Sequence, residues 1–275
     1  FVIMNGHSNV GKTTLAMFLM VNSSIRHGWK WVIYSSENRT ASIKMKLLQF
    51  LIDKPVSHID YQTMKLAYKW VEEHFVIINN KEVVSYADLI VYAEIMIDND
   101  EHFDGFFIDP YNSLRIAISN NNIGVHQYHY EAASEFLTFT TAHDKAVWLN
   151  THAVTEAQRR KGMDGLPTAP YAEDTEGGGL FVNRADNFVT FHRKIQHEDP
   201  EMRRTMEFHV RKIREVETGG GPTALDNPVQ FKMNTSNTGF YCLNGEMQLF
   251  EPMTFQPKPE DQMDVPFSLD FDDIF

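Results

Sequence analysis

Cysteine and long apolar runs are both scarce in this sequence. Only one of its 275 residues is a cysteine, Cys242, which excludes an internal disulfide framework and a zinc site built from cysteines. No apolar stretch approaches the roughly 20 residues that a membrane-spanning helix requires. We therefore expect a protein that works in the cytoplasm and has no membrane partner.

Positive charge is in deficit, since 25 Lys and Arg residues face 37 Asp and Glu residues, for a formal net charge of -12. This balance argues against a protein that binds nucleic acid with its whole surface. Six of the twelve excess negative charges, however, lie in residues 259–275, which contain no Lys or Arg: Glu260, Asp261, Asp264, Asp270, Asp272 and Asp273. The remainder of the chain is only mildly acidic, which leaves room for local basic patches.

The sequence also lacks an initiator methionine and opens on Phe1, inside the first predicted core strand, without the pattern of a signal peptide. We expect it to be a piece of a longer polypeptide whose N-terminal portion is missing. Its hydrophobic content of 43% is enough for one substantial core. We predict a single domain over residues 1–250 and an acidic tail over residues 251–275.

A complete phosphate-loop motif follows the first predicted strand. The pattern G-x-x-x-x-G-K-[ST] is matched by Gly6-His7-Ser8-Asn9-Val10-Gly11-Lys12-Thr13. The glycines let backbone N–H groups turn towards phosphates, and the next helix adds its partial positive N-terminus. We expect Lys12 to reach the β- and γ-phosphates and Thr13 to ligate Mg²⁺. The predicted ATP contacts are Gly6, Ser8, Asn9, Val10, Gly11, Lys12, Thr13 and Thr14, and a glycine-rich turn without phosphate is the alternative.

Strand and helix patterns alternate along the chain. Helical periodicity covers about 13–24, 41–51, 61–73, 86–97 and 126–141, and buried strands are predicted at 1–4, 31–34, 75–78, 106–108 and 146–150. This alternation predicts an α/β fold, a mostly parallel sheet with helices on both faces. A Gly-, Pro- and Thr-rich stretch over 162–179 predicts a long loop. Strands at 187–192, 205–210, 229–231 and 239–243 predict an antiparallel extension of the sheet.

Three polar residues follow predicted strands, at the edge where ligands of open α/β sheets bind. Asp109 ends a buried strand and is predicted to complete the Mg²⁺ shell, with a plain turn acid as the alternative. Glu37 is predicted to be the general base or water-orienting residue, unless it is an ordinary exposed glutamate. His152 is a candidate γ-phosphate sensor, with a hydrogen-bonded structural histidine as the alternative.

The order of these segments resembles the RecA-like core of hexameric replicative helicases, the DnaB-like family of superfamily 4 that includes phage primase-helicases and the mitochondrial Twinkle helicase. The matching segments are 6–14, 35–38, 107–112, 150–152, 174–187 and 211–219, and the resemblance covers about residues 1–245. It implies that Glu37 activates water, that Asp109 holds Mg²⁺ and that His152 reads the γ-phosphate. It also implies that Arg214, as an arginine finger, and Lys212 reach the nucleotide of a neighbouring subunit.

The resemblance is incomplete after the glycine-rich segment. The family often carries Gln and Arg there, whereas this chain has Val182, Asn183 and Arg184, which puts the local coupling of ATP to DNA in question. Arg193, at the end of a predicted strand, is a candidate second cation of the subunit interface.

Two loops are predicted to bind DNA at the centre of such a ring. One contains Arg115 and the stretch 120–122 with Asn121, and the other contains Arg159, Arg160 and Lys161 after the histidine strand. A solvated surface run is the alternative for the three basic residues. Their position after His152 favours contact with DNA phosphates.

The sequence thus predicts an ATP-driven hexameric DNA helicase, associated with the nucleoid of a bacterial or phage-infected cell, with an organellar location left open. One alternative is a RecA-like recombination ATPase that forms filaments on single-stranded DNA. Another is a nucleotide-gated switch or loader without unwinding activity.

The acidic tail carries apolar residues among its charges, namely Phe267, Phe271, Ile274 and Phe275. Its composition predicts no packed element in the free protein, and alternating acids and aromatics suit a hydrophobic pocket with a basic rim. The ending resembles the acidic, phenylalanine-terminated tips of single-stranded DNA-binding proteins and some phage helicases. This implies a replisome partner such as a DNA polymerase, and docking in a groove of its own ring is the alternative.

Overall fold

A computed structural model describes residues 1–79, 81, 84–116, 124–244 and 251–256. Its strands in chain order are β1 (Val2–Gly6), β2 (Trp31–Ser35), β3 (Phe75–Ile78), β4 (Gly105–Asp109), β5 (Ala146–Asn150), β6 (Asn187–His192), β7 (Thr205–Ile213), β8 (Val229–Met233) and β9 (Phe240–Cys242). They form one nine-stranded sheet in the order β3-β2-β4-β5-β1-β6-β7-β8-β9. The first six strands in this order are parallel, and β7, β8 and β9 continue the sheet as antiparallel neighbours.

The helices are α1 (Lys12–His27), α2 (Thr40–Ile52), α3 (Tyr61–His74), α4 (Tyr86–Asp98), α5 (Val125–His143), α6 (Gly178–Arg184), α7 (Pro200–Arg204) and α8 (Val216–Gly219). Local sequence explains where two of these helices begin. The Asp60 carboxylate accepts a hydrogen bond from the Thr63 N–H before α3, and Ser85 and Asp88 form a reciprocal capping box on α4. In the described residues no helix is both long enough and apolar enough to cross a membrane.

The core lies on both faces of the sheet. One apolar cluster joins α1, α2 and α3 to the sheet, with Phe18, Leu47 and Phe50 fully or almost fully buried. The other joins α4 and α5 to the opposite face, with Phe106 and Phe136 at its centre. Alternate residues of each central strand enter opposite clusters, as the strand geometry requires. The predicted α/β fold with its antiparallel extension is confirmed.

Two predicted boundaries are corrected. The sequence predicts a loop over 162–179, but α6 begins at Gly178, because Phe181 is fully buried against the Tyr111 ring, at 5.0 Å between centroids. The strand predicted at 205–210 continues to Ile213, because its ladder with β6 extends to the pair Asn187 and Ile213. Composition marks the first segment as a loop, and packing orders its end as a helix. The stretch 120–122 and residues 257–275 lie outside the described residues.

Candidate functional site

Four parallel strands end side by side at the carboxyl edge of the sheet. β1 ends at Gly6, β2 at Ser35, β4 at Asp109 and β5 at Asn150. Because β2, β4, β5 and β1 are consecutive neighbours, the polar residues at their ends converge. A cleft of about 430 Å³ opens there, lined by the phosphate loop, Glu37, His152 and neighbouring residues.

The phosphate loop has the backbone that its motif predicts. Gly11 has φ 94°, in the left-handed region that favours glycine. Helix α1 begins at the next residue, so its N-terminus faces the cleft. The Lys12 ammonium is buried and donates hydrogen bonds to Gly6 O at 3.1 Å and His7 O at 3.0 Å. This burial lowers the pKa of Lys12 to about 8.

Asp109 is fully buried, and four polar side chains surround its carboxylate. The Thr13 hydroxyl lies 2.9 and 3.0 Å from its two oxygens, the Ser35 hydroxyl lies 3.2 Å from Oδ2, and Asn150 donates to Oδ1. Asn38 approaches Oδ2 at 3.4 Å. Burial raises the pKa of Asp109, while the hydrogen bonds from these donors act in the opposite direction.

The structure brings together Thr13 and Asp109, the two residues predicted to ligate Mg²⁺. A hydroxyl and a carboxylate are oxygen ligands of the type that Mg²⁺ takes beside nucleotide phosphates and water, so the donor set fits this ion. Among the described residues no group of three or more His, Cys, Asp or Glu side chains is placed to hold a metal.

Sequence reasoning assigned no role to Ser35, Asn38 and Asn150, although all three contact Asp109. A signal was present, since Ser35 and Asn150 are the last residues of the strands that flank β4. Residues at the ends of neighbouring parallel strands point to one edge, so the strand order is sufficient to find them.

His152 contacts both Lys12 and Glu37. His152 Nδ1 is 3.2 Å from Lys12 Nζ, and its Nε2 is 3.4 Å from Glu37 Oε1. The His152 backbone N–H also donates to Asn112 Oδ1 at 2.8 Å. Glu37 keeps about half of its side chain exposed, so it faces both solvent and the cleft.

Arg193 follows β6 and lies against the phosphate loop of its own chain. Its guanidinium donates to Asn9 O at 3.1 Å and lines the cleft. Burial lowers the pKa of this guanidinium. Arg193 thus lines the cleft of its own chain, whereas the sequence predicts it as a cation of the subunit interface.

Lys212 and Arg214 lie at the amino edge of the parallel strands, opposite the cleft. β7 runs antiparallel to β6, so its end is level with Asn187, at the start of β6. Lys212 Nζ donates to the carbonyl groups of Val182 at 2.7 Å and Asn183 at 3.2 Å, and Arg214 pairs with Asp186. Neither cation is near its own phosphate loop.

The predicted DNA loops differ in what the structure describes. Arg115 is exposed and lies 3.4 Å from Asp88, while Asn121 is outside the described residues. In the second loop, Arg159 and Lys161 are exposed. Arg160 has other contacts: it pairs with Asp174 and stacks over the Tyr171 ring at 4.7 Å. Arg160 therefore anchors the loop, and Arg159 and Lys161 remain available on its surface.

Comparison of sequences finds a relative, the Twinkle homolog protein, chloroplastic/mitochondrial, of Arabidopsis thaliana. It is 26% identical over 231 residues, which cover 79% of this chain and 31% of that protein. The chain therefore spans about a third of the length of this relative. No protein-family model matches the chain.

Comparison of structures finds the same architecture in several solved proteins. A structure described as an ATPase domain superposes with a TM-score of 0.68 at 16% identity, covering 89% of this chain and 84% of that one. A DnaB-like replicative helicase, solved in a study of its interactions with primase, gives 0.69 at 14% identity, with 87% and 56% coverage. A KaiC-like protein from Pyrococcus horikoshii OT3 gives 0.54 at 13% identity, with 88% of each chain covered. The RecA-like fold and the resemblance to DnaB-like helicases are confirmed.

Proposed function

We propose that this chain is the ATP-hydrolysing motor domain of a DnaB-like replicative helicase that works as a ring, with six subunits by the family resemblance, on single-stranded DNA. One observation carries the proposal: the cations Lys212 and Arg214 lie at the edge of the sheet opposite the phosphate loop. A subunit that offers its arginine at one edge and its nucleotide cleft at the other can complete the site of a neighbour. The likeness to the Arabidopsis Twinkle homolog and to the DnaB-like replicative helicase supports the same function.

The side chains of the cleft supply the parts of phosphoryl transfer to water. Lys12 neutralises charge on the β- and γ-phosphate oxygens, and Thr13 and Asp109 would hold Mg²⁺, which would supply further positive charge beside the phosphates. Glu37 orients a water and accepts its proton as the water oxygen attacks the γ-phosphorus and the bond to the β–γ bridging oxygen breaks. His152 lies between Lys12 and Glu37, where a γ-phosphate sensor is useful.

DNA contact in this proposal comes from the exposed Arg159 and Lys161, from Arg115 and from Asn121. Each subunit contributes few charges, because a ring contacts one strand with all its copies. The acidic tail binds a replisome partner such as a DNA polymerase. The expected setting is the nucleoid of a bacterial or phage-infected cell, and an organelle is the alternative.

The full-length protein tests the proposal in two assays. ATP hydrolysis is measured with and without single-stranded DNA, and strand separation is measured on a forked duplex, with Lys12→Ala as the inactive control. We expect DNA to stimulate hydrolysis and ATP to drive unwinding. Electron microscopy of the DNA complex is expected to show rings.

The alternatives give different results in the same assays. Filaments on single-stranded DNA, with stimulated hydrolysis but no unwinding, would establish a recombination ATPase instead. Slow hydrolysis that DNA does not change, with nucleotide-dependent assembly, would establish a switch or loader. Either outcome contradicts the helicase proposal.

A further inference from the structure

His7 occupies a variable position of the phosphate-loop motif, but its side chain points away from the nucleotide cleft. It is only 5% exposed, and it lines a separate cavity of about 390 Å³ on the other side of the loop, together with Lys161 and His192. Its Nε2 atom lies 3.1 Å from the carbonyl oxygen of Thr168, which is 161 residues away in sequence. Its ring packs edge-on against His192, at 6.2 Å between centroids.

Thr168 belongs to the basic loop, defined here as residues 159–171, which carries the exposed Arg159 and Lys161. The loop has several other anchors: Arg160 on Asp174, Asp164 on Lys194 at 2.6 Å, and the Pro170 carbonyl on Arg211 at 2.9 Å. These contacts hold the loop against Lys194, which follows β6, against Arg211 of β7, and against Asp174, which follows the loop. Of the anchors named here, His7 is the one that belongs to the phosphate loop.

Lys12 connects the same residue to the nucleotide cleft. An ammonium has three donors, and here they face Gly6 O, His7 O and His152 Nδ1, all within 3.2 Å. A phosphate oxygen that binds Lys12 must compete for these protons. Nucleotide binding therefore changes the contacts of a lysine that holds the His7 backbone, while the His7 side chain holds the basic loop.

We propose that His7 couples the binding of nucleotide to the binding of single-stranded DNA, through the hydrogen bond from its Nε2–H to the Thr168 carbonyl. The proposal rests on the function proposed above and adds a positioning residue to it. The bond requires the proton to be on Nε2, because a carbonyl oxygen can only accept. Burial lowers the pKa of His7, which favours the neutral ring that this bond uses.

The coupling is measured as a ratio of affinities in the full-length protein. The affinity for a fluorescent oligothymidylate is measured with and without a non-hydrolysable ATP analogue, and the affinity for the analogue is measured with and without DNA. Linkage requires the two ratios to be equal, and allosteric ratios are typically about 5 to 150. Since each variant is its own reference, a change in basal affinity does not enter the comparison.

Three variants separate the bond from general order of the loop. His7→Phe keeps a ring against His192 but removes the donor, and we expect its ratio to fall close to one. His7→Gln places an amide donor near the position of Nε2 and is expected to recover most of the ratio. Asp164→Asn neutralises the carboxylate that pairs with Lys194 and leaves His7 intact, so its ratio is expected to stay near the wild-type value.

A wild-type ratio in His7→Phe, with the variant shown to fold by its thermal melt, would overturn the inference. An equal loss in Asp164→Asn would overturn it as well, since loop order would then be the cause. Neither result touches the proposed function, which fails separately if DNA does not stimulate hydrolysis by the wild-type protein. If the wild-type protein has an affinity ratio of one but DNA still stimulates its hydrolysis, the coupling inference is refuted and the proposed function stands.

Discussion

A buried carboxylate is costly unless hydrogen-bond donors surround it, and Asp109 shows how the chain meets this cost. Thr13, Ser35 and Asn150 direct donors at its two oxygens. The same arrangement fixes the carboxylate next to the Thr13 hydroxyl, where Mg²⁺ is expected. The residues that satisfy Asp109 therefore also preorganise the site.

For single residues of the site, we predict that Lys12→Ala and Glu37→Gln separate nucleotide binding from hydrolysis. Lys12→Ala removes the buried cation that faces the phosphates, so it is expected to lose nucleotide. Glu37→Gln removes only the proton acceptor, so it is expected to bind ATP and hydrolyse it about 10²- to 10⁴-fold more slowly. Binding is followed with a fluorescent ATP analogue and turnover by phosphate release.

Glu101→Gln is the matched control for Glu37→Gln, because Glu101 is exposed and precedes β4, at the amino edge of the sheet. It is expected to hydrolyse ATP at the wild-type rate. Wild-type turnover by Glu37→Gln would show that Glu37 is an ordinary loop residue and that another group activates water.

His192 leads to a prediction about pH. It is 2% exposed, neither ring nitrogen has a partner within the described residues, and burial lowers its pKa to about 4 from 6.5. Between these values the unfolded chain binds a proton that the folded chain does not. The free energy of unfolding therefore falls as pH decreases from 6.5 to 4, by up to about 3 kcal/mol from this group.

Substituting His192→Phe removes that proton uptake. Urea unfolding of both proteins at pH 7, 6, 5 and 4 is expected to show a smaller loss of stability in the variant. Parallel curves for the two proteins would contradict a neutral, buried His192.

Among the secondary-structure elements, the contact between β2 and β4 depends on a missing side chain. Trp31 of β2 is fully buried, and its ring lies over Gly105, the first residue of β4. A Cβ at Gly105 would overlap the indole ring. The closeness of these strands sets the position of Asp109, four residues further along β4.

We predict that Gly105→Ala destabilises the protein by about 1–3 kcal/mol, the usual effect of overpacking a core. Gly179→Ala is the control, because a Cβ there meets no atom within 4 Å. Since Gly179 lies in α6, this control is expected to be neutral or to stabilise by up to about 1 kcal/mol. Urea unfolding compares the three proteins, and equal stability of Gly105→Ala and wild type would show that the Trp31 ring can move aside without cost.

For the whole molecule, the separation of Arg214 from the phosphate loop predicts a shared active site. An arginine supplied in trans is worth about 10³- to 10⁵-fold in turnover, so Arg214→Ala is expected to be almost inactive alone. Mixing it with Lys12→Ala subunits creates interfaces in which one subunit gives Lys12 and the other gives Arg214. We expect the mixture to recover hydrolysis that neither variant has by itself.

The double variant Lys12→Ala, Arg214→Ala, mixed with Lys12→Ala, is the control, because no interface in that mixture contains Lys12. It is expected to stay inactive. Failure of the first mixture at every ratio, with mixed rings confirmed by mass spectrometry, would refute a site shared between subunits.

The acidic tail is expected to contact a partner protein and to have no part in catalysis. Deleting residues 265–275 is expected to leave ATP hydrolysis unchanged and to weaken binding to a replisome partner such as a DNA polymerase. The loss should depend on salt, because acidic groups are screened at high ionic strength. Unchanged partner binding together with a failure to form rings would show instead that the tail holds the subunits together.

Local sequence is enough to predict the phosphate loop, the alternation of strands and helices, and the positions of Asp109, Glu37 and His152 at or just after strand ends. These features are local, because a motif or a hydrophobic period is complete within a few neighbouring residues. The contact of Asn150 with Asp109 and the ion pair between Arg160 and Asp174 depend on the tertiary structure.

Tertiary structure also determines the placement of the two residues on which the proposals depend, His7 and Arg214. His7 meets Thr168 across 161 residues, and the antiparallel direction of β7 carries Arg214 to the edge opposite its own cleft. No local pattern encodes such pairs, since strand order and direction decide which distant residues meet. The sequence therefore specifies which chemical groups the site contains, and the order and direction of the strands determine which of them can act together.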